Sequence, residues 1–288
     1  MSRTEITAAA TPDLTPAPYR IARDTWLVPN LVPAGPGQYL FVNTMVITGA
    51  EPMVVDTGAP LHREAWLERV FALVDPGDIR WAFLSHDDGD HLGNMRDLLE
   101  AAPNATVVAN FFSTERAALE PDRALPLDRM IWRDPGATVD LGDRRIRLVR
   151  PPIFDGPTTR GLYDESTGVL WAVDSFAAFT DGVAREGVDV PADLYDESFA
   201  VLNSLVSPWH EWLDATVYRR HVASVAALKP TAVASAHGPV LRGELVADAF
   251  ARVSAMAGRP IVVPPGQELL DQMVAELVTQ PAPIAAAA

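Results

Sequence analysis

The segment SHDDGDHLGN (Ser85–Asn94) places two histidines and three aspartates within ten residues. The apolar run WAFL comes directly before it, and the helix-like pattern LGNMRDLLEAA overlaps its end. This order predicts a strand, a polar loop and a helix that begins near Leu92. An irregular loop between a strand and a helix lets neighbouring side chains converge on one point.

The residue types in this loop are those that bind divalent metals through nitrogen and oxygen. Alternation along the loop directs His86, Asp88 and Asp90 to one side, and His91 turns back at the start of the helix. An alternative is that Asp88 and Asp90 only cap the helix, where acids are favoured. Capping needs one acid, however, and does not explain two of the six histidines of the chain. The pattern therefore predicts a metal site.

Composition limits the chemistry of that site. The chain has 288 residues, of which 48% are hydrophobic, so it can bury a large core. It contains no cysteine, which excludes disulfides, thiolate zinc sites, cysteine-bound iron–sulfur clusters and a cysteine nucleophile. Any bound metal must be held by nitrogen and oxygen atoms.

Charge and hydropathy indicate which partners are excluded. The net charge is −15, which disfavours binding to nucleic acid. The basic stretch DRRIRLVR (Asp143–Arg150) alternates with apolar residues and predicts a half-buried strand rather than a binding patch. No apolar run approaches the length of a membrane span, and the N-terminus lacks a secretory signal pattern, so we expect no membrane association and a cytoplasmic location.

The remaining pattern predicts one α/β domain at residues 19–278, between a flexible N-terminal extension (1–18) and a flexible Ala/Pro tail (279–288). The predicted strands are 25–30, 38–48, 52–56, 81–85, 105–109, 145–149, 168–174 and 231–235. The predicted helices are 61–74, 92–102, 112–120, 192–206, 210–228, 243–257 and 266–278.

The motif HDDGDH resembles the HxHxDH signature of the metallo-β-lactamase superfamily. It is more similar to the HxExDH form of the flavodiiron and oxygen-binding diiron branch, with Asp88 at the position of that branch's glutamate. Three later segments resemble the family's other site strands: VVDTG (Val54–Gly58), LWAVDSFAAF (Leu170–Phe179) and AVASAHGPV (Ala232–Val240). The resemblance covers residues 22–260 and implies a four-layer αβ/βα sandwich, in which two mixed sheets are flanked by helices.

The resemblance also implies a ligand set for two metals. Asp174 corresponds to the bridging aspartate and His237 to the final histidine. The diiron branch carries His-Trp-Pro before the bridge, where this chain has Asp155-Gly156-Pro157. We expect Asp155 to replace the missing histidine, the alternative being a loop aspartate beside an incomplete site. The implied sets are His86, Asp88 and Asp155 for one metal and Asp90, His91 and His237 for the other, with Asp174 between them.

The function implied is that of a non-haem diiron protein that binds or reduces dioxygen or nitric oxide, with Asp90 and Asp174 as the catalytic residues. Hard oxygen ligands favour iron, with zinc or manganese as alternatives. About 50 residues follow His237, and no Gly-rich phosphate-binding loop is present, so we expect no FMN on this chain and a separate reductase as electron donor. Diiron relatives imply a homodimer or a higher oligomer.

Two other functions remain open from the sequence. One is a metal-dependent hydrolase, in which a bridging hydroxide attacks an ester, lactone or phosphodiester and a carboxylate such as Asp90 acts as general acid. The other is an inactive family member with an incomplete metal site. Outside the ligand set, Asp56 is either a partner that orients a ligating imidazole or a turn-forming residue. His210 and His221 fall in a helical pattern and are predicted to be surface or packing residues.

Overall fold

The structure is a computed structural model that describes residues 12–279. Residues 1–11 and 280–288 lie outside the described residues, and they hold most of the two extensions that the sequence predicts. Within the described part, the carbonyl of Leu14 accepts a hydrogen bond from the amide of Leu31 at 2.8 Å. The boundaries of the predicted domain stay predictions.

The first sheet has seven strands, numbered along the chain, which lie in the order β1-β2-β5-β6-β7-β8-β9. Its strands are β1 (Tyr19–Ala22), β2 (Thr25–Val28), β5 (Thr44–Ile47), β6 (Met53–Val55), β7 (Trp81–Phe83), β8 (Thr106–Ala109) and β9 (Met130–Trp132). The pairs from β1 to β6 are antiparallel, and those from β6 to β9 are parallel. A separate hairpin is formed by β3 (Leu31–Gly35) and β4 (Gln38–Phe41).

The second sheet has six strands in sequential order. They are β10 (Thr138–Asp140), β11 (Arg145–Val149), β12 (Gly161–Asp164), β13 (Val169–Trp171), β14 (Ala232–Ala234) and β15 (Leu241–Arg242). Only the β13–β14 pair is parallel, so both sheets are mixed. Because parallel neighbours end at the same edge, the loops after β6 and β7 meet at one place, as do those after β13 and β14.

Eight α-helices are present in residues 12–279. They are α1 (Arg63–Leu73), α2 (Gly89–Leu92), α3 (Met95–Ala101), α4 (Phe111–Ala117), α5 (Ala192–Val206), α6 (Ala215–Ala226), α7 (Glu244–Ala255) and α8 (Gln267–Thr279).

The buried side chains form three layers of core. One cluster joins the facing sides of the two sheets and includes Met45 and Phe83 from the first sheet and Leu148 and Trp171 from the second. A second cluster lies between the first sheet and α1, α3 and α4, and a third lies between the second sheet and α5, α6 and α7. Strand residues alternate between these layers, as period-two side-chain geometry requires. The predicted four-layer αβ/βα sandwich is confirmed.

Three predicted elements are wrong in their continuity. The predicted helix 92–102 is interrupted, because α2 ends at Leu92 and α3 begins at Met95. The segment 38–48 is two strands in different sheets, because the chain turns at Asn43, whose side-chain amide donates to the carbonyls of Ser235 and Gly238. The segment 210–228 is a short 3₁₀ turn followed by α6. Asp214 starts that helix anew by accepting hydrogen bonds from two amides of its first turn.

Other predictions agree with the structure in outline. Within β11, the exposed Arg145 and Arg147 alternate with the buried Ile146 and Leu148, as expected for a half-buried strand. No helix in the described part of the chain has both the length and the apolar composition that crossing a bilayer would require.

A buried arginine joins the two sheets at one side. The side chain of Arg144 is fully buried, and its guanidinium forms ion pairs with Asp24 at 3.1 Å, Asp143 at 3.0 Å and Asp164 at 3.3 Å. Asp24 follows β1 of the first sheet, whereas Asp164 ends β12 of the second. Removal of one member of a buried ionic group leaves uncompensated charge in the interior, which is strongly destabilising.

We expect Arg144→Ala to lower the free energy of unfolding by about 3–5 kcal/mol. Arg147→Ala is the matched control, because Arg147 pairs with Glu165 while its side chain is 47% exposed. Its loss should lower the free energy of unfolding by less than about 1 kcal/mol. Urea unfolding of both variants measures the difference, and equal losses would show that the buried group does not join the sheets.

Candidate metal centre

The ends of β6 and β7 position the histidine- and aspartate-rich loop. The helix after β7 begins at Gly89 rather than near Leu92, because the amides of His91 and Leu92 both donate to the carbonyl of Asp88. Asp90 and His91 therefore lie on α2 and not in the loop. Asp88 occupies the position before the helix, but its side chain makes no capping hydrogen bond. Helix capping alone does not account for this carboxylate.

Asp56 is completely buried and connects three parts of the site. Its Oδ1 accepts a hydrogen bond from the amide of Ser85 at 2.7 Å, and its Oδ2 lies 3.0 Å from Nδ1 of His91. The indole of Trp171, at the end of β13, donates to the same Oδ2 at 3.1 Å. Asp56 also has a φ of 57°, which is the left-handed turn conformation that aspartate tolerates. Asp56 therefore both contacts the ring of His91 and forms the turn after β6.

Asp174 is placed by an unusual stretch of backbone. Val173 has a φ of 57°, a conformation that is costly for a β-branched residue. The carbonyl of Val173 accepts hydrogen bonds from the Ser235 hydroxyl at 3.0 Å and the Ala236 amide at 2.7 Å, which hold the turn. The carboxylate of Asp174 is thereby directed into the centre of the site.

Each imidazole of the site is fixed through its Nδ1 atom. Nδ1 of His237 lies 2.8 Å from the carbonyl of Phe41, and Nδ1 of His86 lies 3.1 Å from the hydroxyl of Ser85. His91 is fixed through Asp56, as described above. This arrangement leaves the Nε2 atoms facing one another, which is how proteins orient histidines that bind metals.

The Nε2 atoms converge on Asp174. They lie 3.4 Å (His86), 3.1 Å (His91) and 3.2 Å (His237) from its carboxylate oxygens. Ligands about 2.0–2.1 Å from a common ion are separated by roughly 3.0–3.4 Å, so these distances match edges of a coordination polyhedron. The groups with ligand atoms within 4.8 Å of one another are His86, His91 and Asp174; Asp90, His91 and His237; and His86, Asp88 and Asp155.

Two buried atoms support a metal at this place. Nε2 of His91 and Oδ1 of Asp174 are inaccessible to solvent, and neither forms a directed hydrogen bond within the described residues, although they lie 3.1 Å apart. Buried polar atoms are nearly always satisfied, so orphaned atoms call for an explanation. A metal ion that both atoms bind satisfies them, and the donor set of imidazoles and carboxylates fits that group.

The electrostatics of the centre are dominated by its carboxylates. Burial favours a neutral imidazole, but Asp174, Asp56 and Asp90 outweigh it and raise the pKa of His91 well above its usual value. Burial would raise the pKa of Asp174, but the imidazoles of His86 and His91 outweigh it and hold that pKa well below its usual value. The cluster therefore favours positive charge at its centre, which protons or metal ions provide.

Asp155 lies at the outer side of the site. It is exposed, and it shares a group with His86 and Asp88. The side chain of Asp88 is also 50% exposed. Its Oδ1 accepts a hydrogen bond from the hydroxyl of Thr159. The structure thus brings together all seven residues that the resemblance implied, in the implied sets of three. Their role as ligands stays a prediction.

Asp87, the other aspartate of the motif, turns away from the centre. Its carboxylate is buried and pairs with Arg116 at 2.8 Å. Sequence reasoning missed three residues that build the site: Ser85, whose hydroxyl lies near two histidines, Trp171 and Asn43. Ser85 directly precedes the motif, and Trp171 lies in the segment LWAVDSFAAF that resembles a site strand, whereas nothing in the sequence linked Asn43 to the site.

Comparison with known proteins agrees with this site and fold. A family model described as ODP family beta lactamase matches residues 39–238, which is more than half of the chain. The chain belongs to the ODP family beta lactamases. The resemblance to the metallo-β-lactamase superfamily is thereby confirmed.

Relatives of this ODP family member are longer proteins. Diflavin flavoprotein A 1 of Synechocystis sp. is 27% identical over 208 residues, which cover 71% of this chain and 35% of that protein. The chain therefore spans about one third of that curated relative. Two solved structures share the fold. The flavodiiron protein from Giardia intestinalis has a TM-score of 0.71 and 18% identity, over 83% of this chain and 59% of that one. Rubredoxin oxygen:oxidoreductase from Desulfovibrio gigas has a TM-score of 0.69 and 17% identity, over 84% of this chain and 60% of that one.

We expect Asp174→Ala to reduce metal content from two ions to at most one per chain, because this carboxylate lies between the two groups of ligands. Plasma mass spectrometry of protein purified without added metal measures the content. His210→Gln is the control, since His210 is buried among Ser204 and Met256 and belongs to none of the three groups. Two ions per chain in the Asp174 variant would contradict the assignment.

Substitutions at Asp155 test whether this residue is a metal ligand. We expect Asp155→Ala to retain about one ion per chain and Asp155→His to retain two, because histidine restores the ligand type of the diiron branch. Asp87→Asn is the matched control within the motif, and it should keep two ions because Asp87 faces away from the centre. If Asp155→Ala binds two ions as tightly as the unmodified protein, Asp155 is a loop residue and not a ligand.

Proposed function

We propose that this chain is a non-haem diiron protein that binds or reduces dioxygen or nitric oxide. The observation that carries the proposal is the convergence of three imidazoles and four carboxylates into two ligand groups that Asp174 joins. The two irons would be held by His86, Asp88 and Asp155 and by Asp90, His91 and His237.

The choice of iron rests on ligand chemistry. Four carboxylates bring about four negative charges, which neutralise two divalent cations and stabilise a higher oxidation state still better. Carboxylate oxygens suit iron or manganese more than zinc, so manganese and zinc are the alternatives. When bound, the two iron ions supply the electron transfer to a small diatomic molecule.

The protein's own residues prepare the site for this chemistry. Asp56 fixes the ring of His91 through Nδ1, and the carbonyl of Phe41 does the same for His237. On the inner side, Asp174 and the imidazoles of His86 and His91 are buried and exclude water. On the outer side lie the more exposed carboxylates of Asp88, Asp90 and Asp155.

This asymmetry suggests a route for substrate and protons. The side chain of Asp90 is 35% exposed and lies 3.4 Å from Nε2 of His237. A carboxylate in that position can pass protons from solvent into the centre while Asp174 stays ionised within it. We therefore assign Asp90 a role in proton transfer and Asp174 the role of holding the two halves of the site together.

Electron supply and assembly belong to the same proposal. The name of the structural neighbour from Desulfovibrio gigas pairs rubredoxin with oxygen, and that of the Synechocystis relative refers to flavin. We propose that dioxygen is a substrate of this chain as well and that a separate reductase supplies the electrons. We also propose that this chain itself binds no FMN and that the protein acts as a homodimer.

The two other functions have less support. A hydrolase needs strongly Lewis-acidic metals, and four carboxylate ligands donate more charge than a histidine-rich set and weaken that acidity. An inactive member with an incomplete site is disfavoured because Asp155 is present beside His86 and Asp88.

The test begins with metal identity and stoichiometry, measured on protein purified without added metal. The protein is then reduced with dithionite under anaerobic conditions and exposed to dioxygen or nitric oxide while its optical spectrum is recorded. We expect about two irons per chain and a charge-transfer band that depends on the added gas, and neither in Asp174→Ala.

Two other results would overturn this proposal. Two zinc ions and no response to either gas would favour hydrolysis, and a screen of ester, lactone and phosphodiester substrates would follow. Less than one ion per chain after reconstitution with iron, manganese or zinc would indicate the inactive member.

A further inference from the structure

A cavity of about 380 Å³ lies beside the loop that carries Asp155, and none of its lining residues belongs to the metal-ligand groups. Its walls include the aromatic rings of Phe154, Trp209 and Tyr218. At its mouth, Leu213 and Val217 are 43% and 60% exposed. An apolar cavity of this volume falls in the range of small-molecule sites.

The polar atoms of these walls are already engaged. The indole of Trp209 donates to the carbonyl of Phe154 at 2.7 Å, and the hydroxyl of Tyr218 donates to the carbonyl of Val253 at 2.7 Å. Nε2 of His221 lies 2.8 Å from the carbonyl of Pro151. Asp214 also lines the cavity, and its Oδ1 accepts hydrogen bonds from the amides of Thr216 and Val217 at the start of α6. Apart from Asp214 and Arg150, the walls therefore offer mainly ring faces and aliphatic groups to a ligand.

Arg150 is different, because part of its guanidinium is free. Its Cζ lies 5.0 Å from the centre of the Phe154 ring. Nη1 donates to the carbonyls of Thr159 at 2.8 Å and Pro157 at 3.3 Å. Within residues 12–279, Nε and Nη2 have no protein acceptor, and no carboxylate pairs with this arginine. By contrast, Arg144 and Arg147 on the same segment are both paired with carboxylates.

The free atoms have a specific geometry. Nε and Nη2 present two parallel N–H groups along one side of the guanidinium, which is the pair that a carboxylate accepts in a bidentate contact. Loss of water around the buried cation lowers the pKa of Arg150, and this effect outweighs the opposite effect of the more distant Asp134 carboxylate. An anion in the cavity would replace that water. Aromatic rings on the walls favour a flat aromatic body next to it.

We propose that this cavity binds a flat aromatic molecule that carries a carboxylate. The carboxylate pairs with Nε and Nη2 of Arg150, and the aromatic body lies against Phe154 and Trp209 and covers Leu213 and Val217. The site requires no metal, so its test is independent of the proposed diiron function.

Isothermal titration calorimetry of the full chain tests this, with 2-naphthoate as the probe and 2-naphthylmethanol as its neutral analogue. We expect the acid to bind about tenfold more tightly than the alcohol or better, because a charge-assisted bidentate contact is present only with the acid. Arg150→Met should reduce the affinity for the acid to that for the alcohol and leave the alcohol unchanged.

Two further variants test whether binding depends on Arg150 and on the open cavity. Arg147→Met is the matched control, because that arginine pairs with Glu165 outside the cavity, and it should change neither affinity. Val217→Trp places a large ring at an exposed position of α6, so it should fill the mouth and abolish binding of both probes. Circular dichroism and thermal unfolding establish that each variant is folded.

Several results would overturn the proposal. They are equal affinities for the acid and the alcohol, no effect of Arg150→Met, no binding of 2-naphthoate up to about 1 mM, or undiminished binding in Val217→Trp. Sedimentation that shows an oligomer dissociated by Val217→Trp would assign the cavity to a second copy of the chain instead.

Discussion

The buried carboxylate of Asp56 is the constraint on which the site depends. It accepts hydrogen bonds from the Ser85 amide at the end of β7 and from the Trp171 indole at the end of β13, and it contacts the ring of His91. One side chain thus ties the first sheet to the second and fixes an imidazole between them. Because all three partners are buried, these hydrogen bonds do not compete with water and hold their geometry.

The negative charge of the carboxylates at the centre must be balanced by positive charge. Asp56 and Asp174 are both buried, and the more exposed Asp88 and Asp90 lie close to them. Buried carboxylates without positive charge would be strongly destabilising. The imidazoles supply it when they are protonated, as the raised pKa values of His86, His91 and His237 indicate. The protein therefore tolerates this acidic cluster because cationic partners are built into it.

Much of the fold and the site could be predicted from sequence where local pattern is strong. The HDDGDH loop lies after a strand, and the strands before Asp56, Asp174 and His237 were all found, because short apolar runs end in polar turns. The helix start at Gly89 was missed since it depends on two amides that share one carbonyl.

Contacts between residues far apart in the sequence could not be predicted from the local sequence pattern. β12 (Gly161–Asp164) is short, and its identity as a strand depends on its pairing with β11 and β13. The break at Asn43 depends on carbonyls nearly two hundred residues away. Only the folded chain shows that the indole of Trp171 donates a hydrogen bond to Asp56. Hydrogen bonds of this kind leave no periodicity along the chain.

The predicted ligands come from both sheets. His86 and His91 follow β7 of the first sheet, whereas Asp174 and His237 follow β13 and β14 of the second. In the implied ligand sets, His86 and Asp174 would hold one metal, and His91, His237 and Asp174 would hold the other. Each metal would therefore be a non-covalent cross-link between the two halves of the sandwich. Since such a ligand binds only when both halves are docked, its binding free energy adds to the folding free energy by mass action. The metal content of a cell would then set not only the activity of this protein but also the fraction of its chains that stay folded.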